Sequence, residues 1–224
     1  MDVMRRLFAI ACAAAFALIA VATGWAGKGN PTKEQIARTH AGNAAATARI
    51  LRKADLPSGW TGGSTKPDLS SSFGCRMYKP KQNDLVLIGA AETRWKNLPA
   101  EIDSETDVLR TPKMVKIDWR RTVTDHRVLP CLRQAFAMHA PKNEKLVSLR
   151  WIAVPRLATF TAAYRLVLRV NGQAGKVHVM VQALAFGAGR YENSLIVSGL
   201  ASDTASLQKL QSRLAHQLAK RLHG

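Results

Sequence analysis

The sequence carries almost none of the short motifs that mark a catalytic centre. It has no G-x-S-x-G nucleophile elbow, no G-x-x-x-x-G-K phosphate cradle, no C-x-x-C and no H-x-x-x-H. His40, His126, His139, His178, His216 and His223 are too scattered to pair as metal ligands, so surface or core histidines are expected. Cysteines number three, and acidic residues only 15 against 33 Lys and Arg, for a net charge of +18. Aromatic residues make up 6% of the chain. That is few for a nucleic-acid surface, which joins a concentrated basic stripe to stacking rings. With no motif to carry chemistry, the expectation is a non-enzymatic protein with no cofactor and no metal site.

What is present begins with a leader. Arg5-Arg6 is a positive start, Leu7 to Ala22 is an uncharged apolar run, and small residues follow. This is the pattern of a signal peptide over residues 1–26. Ala20-Val21-Ala22 and Gly24-Trp25-Ala26 both fit a small-x-small cleavage rule, with Ala26 favoured, and Met4 is a natural alternative start to Met1. A retained anchor is the alternative, since the run approaches the roughly 20 residues that span a bilayer. Ala9-Ile10-Ala11-Cys12 is a faint lipobox, with its cysteine early in the run. Residues 27–31 form a linker, and 32–224 are expected to form one domain. Removing the leader takes away Cys12 and leaves Cys75 and Cys131, an even pair that predicts a disulfide in an oxidising compartment.

The charge excess points to polyanions. Without Arg5, Arg6 and Asp2 the chain keeps a net +17, well beyond what solubility of a small domain requires. The expected partner is an anionic envelope surface or wall polymer, with Arg150, Arg165 and Arg169 as contacts on exposed strand faces and no nucleic acid. The Lys and Arg residues are spread along the chain, so many weak contacts are expected.

Periodicity sets the fold class. Thr32-Lys33-Glu34-Gln35 has capping-box spacing and predicts a helix to about Lys53, ended by Asp55-Leu56-Pro57-Ser58-Gly59-Trp60. Residues 61–73 read as a surface loop. Strands are expected at Leu85–Trp95 and Ile102–Arg110, then a helix from Thr111-Pro112 to Met138, bent or broken at Pro130. Four strand-like runs follow, at Lys145–Val154, Thr159–Val170, Lys176–Phe186 and Tyr191–Ser198. Phe160, Ala162, Tyr164, Leu166, Leu168 and Val170 alternate with Thr161, Arg165 and Arg169, as on a strand with one buried face. Leu207, Leu210, Leu214, Leu218 and Leu222 mark one side of a last helix from about Asp203. The class is α+β, an antiparallel sheet of about six strands with N-terminal, middle and C-terminal helices packed on it. Glu101, Asp103, Glu105 and Asp107 also alternate, which puts four carboxylates on one side of a strand. A solvated face is expected there, with a cation site as the alternative.

Asp55-Leu56-Pro57-Ser58-Gly59-Trp60, Cys75, Asp118-Trp119-Arg120-Arg121 and Cys131-Leu132-Arg133 occur in that order. Together they resemble a group of small exported bacterial envelope proteins, lipoproteins and extracellular sensor-type domains of membrane kinases. The resemblance implies a PsbP-like sandwich and a cleft for a ligand, and brings no catalytic residues. The chain has no kinase domain, and it has one cysteine pair where such sensors have two disulfides. The expected function is therefore that of an exported cell-envelope protein binding a ligand, a small apolar one among them, or a partner. The alternative is a secreted hydrolase whose site is assembled from residues distant in sequence.

Overall fold

The computed structural model describes residues 31–69, 75–172 and 175–223. The leader, with its cleavage sites, anchor and lipobox, lies outside the described residues.

Strands β1 (Gln35–Ile36), β2 (Thr61–Thr65), β3 (Val86–Asn97), β4 (Ala100–Leu109), β5 (Glu144–Ile152), β6 (Phe160–Gly172), β7 (Gly175–Ala188) and β8 (Tyr191–Leu200) form one eight-stranded sheet. The spatial order is β1-β3-β4-β8-β7-β6-β5, with β2 sharing the outer edge of β3. All pairings are antiparallel except β1 with β3. Four helices cover the two faces: α1 (His40–Arg49), α2 (Pro112–Asp118), α3 (Val128–His139) and α4 (Thr204–His223). The α+β class follows directly.

On one face lie α1 and α4. Leu207, Leu214, Leu218 and Leu222 bury the predicted stripe of α4 against Ile102, Ala163, Met180, Phe186, Leu195 and Val197. A polar residue sits inside this core. Gln211, 1% exposed, donates to the carbonyls of Gln182 and Leu195 at 2.9 Å each and accepts from the Gln182 amide, so its hydrogen-bonding capacity is met. The α1 helix approaches β3 so closely that a Cβ on Gly42 would lie 2.0 Å from the Ile88 carbonyl oxygen.

The other face carries α2, a π-turn at Trp119–Val123, and α3. Thr111 caps α2 through its hydroxyl, and Pro112 fills the first turn, where its missing N–H costs nothing. Tyr78 Oη donates to the Arg121 carbonyl at 2.7 Å, and Tyr164 Oη to the Val123 carbonyl at 2.9 Å. These bonds tie the π-turn to the sheet. Cys75 and Cys131 are joined, their Cα atoms 5.5 Å apart, which fastens the segment before β3 to α3 beneath Tyr78, Leu149 and Tyr164.

Four expectations give way. The residues from Thr32 do not start a helix: Gln35, Ala37 and Thr39 donate their N–H groups to Leu85, Leu87 and Ile88, so the segment runs extended along β3. The helix begins at His40, capped by Thr39, and ends at Arg49. Residues 61–65 are a strand, because β3 offers them a free antiparallel edge. The middle helix is interrupted at the π-turn and residues 124–127, while Pro130 sits harmlessly in the first turn of α3. The sheet has eight strands where about six were expected, the additions being the two short edge pieces β1 and β2.

Candidate functional site: an acid-floored cavity

Strand register decides where the acidic residues lie. On the face under α2 and α3, β4 presents Glu101, Asp103, Glu105 and Asp107 in one row. Glu101 lies opposite Lys96, and Asp103 opposite Arg94. Both are compensated: Lys96 Nζ is 3.2 Å from Glu101 Oε1, and Arg94 Nε donates to Asp103 Oδ1 at 2.7 Å. Arg94 Nη2 also lies 3.4 Å from Glu92 Oε1, but no basic residue stands directly opposite Glu105 or Asp107. Glu105 lies directly opposite Glu92 on β3, and Asp107 directly opposite Glu192 on β8. Like charges in such positions repel at cross-strand distances of about 5 Å.

This uncompensated end floors a cavity of about 380 Å³. Glu34 and Lys33 from the segment before β1, Asp68 from the chain after β2, Asp118 from the end of α2, and Gln82 from the segment before β3 line it with Glu105 and Asp107. Five of the chain's 15 acidic residues thus converge on one cavity in a strongly basic protein. The remaining lining is mostly apolar, Val123, Tyr164, Ala183 and Ile196 among it, with Thr32, Thr122 and Ser194 as its polar members. Its lining contains neither His nor Cys.

The electrostatics follow from burial and crowding. Burial, then the charges of Asp118 and Glu105, push Glu34 up to about 8. Glu105, Asp107 and Glu192 stand well above their ordinary range, first through desolvation and then through neighbouring carboxylates. Asp118 is raised by burial as well, although Gln82 Nε2 donates to its Oδ1 at 2.5 Å and it shares a hydrogen bond with Glu192. Two acceptors on the lining have no partner among the described residues: Oε1 of Gln82, a residue 5% exposed, and Oδ1 of Asp107. A buried acceptor left unpaired costs about 1–3 kcal/mol.

The expected solvated face is therefore corrected. Glu101 and Asp103 are buried, at 1% and 9% exposure, and Glu105 and Asp107 are half-buried on the cavity floor. Among the described residues no three His, Cys, Asp or Glu side chains are arranged to hold a metal ion.

The predicted basic contacts fall elsewhere. Arg150 and Arg165 are cross-strand neighbours on β5 and β6, and Arg169 lies opposite Lys145. All four side chains are on the α4 face, on the two strands at one end of the sheet, opposite the face that carries the cavity. Arg150 is exposed, whereas Arg165 and Arg169 are half-buried. Arg165 donates to Gln182 Oε1 at 2.9 Å, and burial followed by the charge of Arg150 lowers its pKa. The basic residues here form a ladder, where the sequence pattern pointed to dispersed charge.

No known family profile matches the sequence, and no curated protein does. Several solved structures share parts of the backbone course. An uncharacterised protein from Mycobacterium smegmatis is 9% identical, with 77% of this chain and 93% of that chain covered and a TM-score of 0.40. LpqN, involved in cell envelope biogenesis of Mycobacterium tuberculosis, is 9% identical over 75% of this chain and 80% of its own, at 0.31. The cyanobacterial PsbP protein CyanoP from Synechocystis is 13% identical over 86% and 95%, at 0.37. A PsbP protein and an envelope protein are thus among the neighbours, and none of these three is a kinase sensor domain.

Proposed function

We propose that this chain is an exported, non-catalytic binding domain of the cell envelope, with the acid-floored cavity as its ligand site. One observation carries the reading: a cavity of ligand size combines an apolar wall with convergent polar groups, two of them unpartnered acceptors, and contains no His or Cys. The alternative is a secreted hydrolase whose site is assembled from residues distant in sequence; among the described residues neither His nor Cys lies on this lining.

The test is a set of eight-carbon probes, octylamine, octanol and octanoate, followed by calorimetry and thermal stability. Saturable binding of at least one probe, abolished by filling the cavity with Ala183→Phe, supports the reading. No saturable binding of any probe by the folded protein would overturn it. Export is checked separately, by N-terminal sequencing of protein recovered from the host envelope. A mature chain starting after Ala22 or Ala26 agrees, and one starting at Met1 or Met4 does not.

A second reading has its own observation. The like-charge pairs Arg150–Arg165 and Lys145–Arg169 are held side by side on one sheet edge, an arrangement that a polyanion would relieve. It supports contact with an anionic membrane surface through this ladder.

A further inference from the structure

We propose that the cavity's ligand is an organic ammonium ion with an apolar arm. The inference rests on the binding-domain reading and adds the chemistry of the ligand.

Three features, each visible in the structure, define that chemistry. The first is sign. Among the described residues Glu34, Asp68, Glu105, Asp107 and Asp118 line the cavity with one cation, Lys33. The strand register adds Glu92 and Glu192 directly beside the floor. The second is hydrogen-bond polarity. The unpartnered groups of the lining, Gln82 Oε1 and Asp107 Oδ1, are both acceptors, so the missing partner is a donor. An ammonium offers three donors and no acceptor, and its charge is opposite to the floor. The third is the apolar part of the lining beside the acids, where Val123, Tyr164, Ala183 and Ile196 give an apolar arm contact that a bare metal ion or a hydrated inorganic cation would leave unused. The described residues also place no three donors for a metal ion.

The proton balance follows. In the empty cavity burial and crowding raise Glu105, Asp107 and Asp118 above their ordinary range and push Glu34 up to about 8. An entering ammonium favours the ionised forms, so binding releases protons to the buffer and tightens as pH rises. The groups facing this region are Glu34 and Lys33 before β1, Arg38 just beyond, Asp68 after β2, and Glu92 on β3. Glu105 and Asp107 on β4, Asp118 and Arg121 at the end of α2, and Glu192 on β8 complete them. The pH dependence belongs to the buried carboxylates. An alkylammonium, which titrates near pH 10 as lysine does, remains a cation through their titration.

The same three probes test this, with their shared arm and different heads. Octylamine is expected to bind at least about ten-fold more tightly than octanol, with octanoate weakest. Octylamine affinity should rise about ten-fold or more between pH 6 and pH 9, and its calorimetric heat should depend on the buffer's ionisation enthalpy. The double variant Glu105→Gln, Asp107→Asn should lose that preference and retain octanol binding, which also shows that its cavity is intact. Should the pair fail to fold, the single Asp107→Asn is measured instead, with a smaller loss expected. Octanol or octanoate binding as tightly as octylamine would overturn the ammonium inference and leave the binding-domain reading standing. An octylamine affinity unchanged by pH or by the variants would also overturn it. Failure of all three probes would overturn both.

Discussion

Replacing Glu34 with Gln should stabilise the protein at alkaline pH and do almost nothing at pH 4. The sign follows from linkage. Glu34 has an ordinary pKa of 4.5 when unfolded and about 8 when folded, raised by burial and then by Asp118 and Glu105. Below 4.5 both states hold the proton, and the group contributes no pH-dependent cost. Between 4.5 and about 8 the unfolded chain releases it while the folded chain retains it, so stability falls as pH rises. Above about 8 the loss is complete. At about 1.4 kcal/mol per pH unit, that interval caps the loss at roughly 5 kcal/mol. Glu34 is only half-buried, so solvent screening reduces the expected gain from the Gln variant to about 1–2 kcal/mol at pH 8.5. For a domain of this size that is a rise of about 3–6 °C in Tm. Urea and thermal denaturation of both proteins at pH 4, 6 and 8.5 provide the test. An offset of equal size at pH 4 and pH 8.5, or a variant less stable at both, would refute the reasoning, because neither depends on the carboxyl's charge.

Reduction of Cys75–Cys131, or its replacement by Ser, should cost about 4 kcal/mol in the chain-entropy account of a loop spanning 56 residues, read as a lower urea midpoint. Thiol labelling of native, unreduced protein should find neither cysteine reactive. Gly42→Ala would put a Cβ 2.0 Å from the Ile88 carbonyl oxygen and should destabilise by about 2 kcal/mol or more. Gly63→Ala, where a Cβ meets nothing within 4 Å, should be close to neutral in the same melts. Co-sedimentation with anionic vesicles should be strong at 0.1 M salt and largely gone at 1 M, where the Debye length has fallen from about 10 to about 3 Å. Arg150→Glu with Arg165→Glu should weaken it far more than either alone, and equal binding to neutral vesicles would refute an electrostatic attachment.

Much of the fold was legible in residue spacing, because its long elements carry unambiguous periods. The alternation from Phe160 to Val170 and the leucines from Leu207 to Leu222 each name one element and one buried side. The edges were not legible. Thr32-Lys33-Glu34-Gln35 has the spacing of a capping box, yet the open edge of β3 satisfies those N–H groups instead. Local spacing carries no information about a strand edge fifty residues later. Thr61–Thr65 has too much glycine for its own strand propensity and is held by pairing with β3. The site was half-visible in the same way. Alternation placed four carboxylates on one side of β4, but no period reports which side of a sheet is wet. That depended on the π-turn crossing above and on the register that set Glu105 against Glu92 and Asp107 against Glu192.

The same register argument links the two charged regions. Along β4, two acids have basic partners across the sheet and two have acidic ones, so the strand sequence alone did not make the repulsion. Along β5 and β6 the like pairs are basic. The two clusters occupy opposite faces of one sheet, the acids on the central strands β4 and β8 and the bases on β5 and β6. Opposite charges this far apart do little to relieve each other in salt, since the Debye length is about 10 Å at 0.1 M. Each cluster is costly where it stands, and a local group of opposite sign would relieve it. For the ladder, that is an extended anionic surface, because its side chains reach outward from a sheet edge. For the floor, it is a cation small enough to enter about 380 Å³. A protein resting on an anionic surface by β5 and β6 would turn the cavity away from that surface. The cation would then enter from the solution side, and vesicle attachment should leave octylamine affinity unchanged.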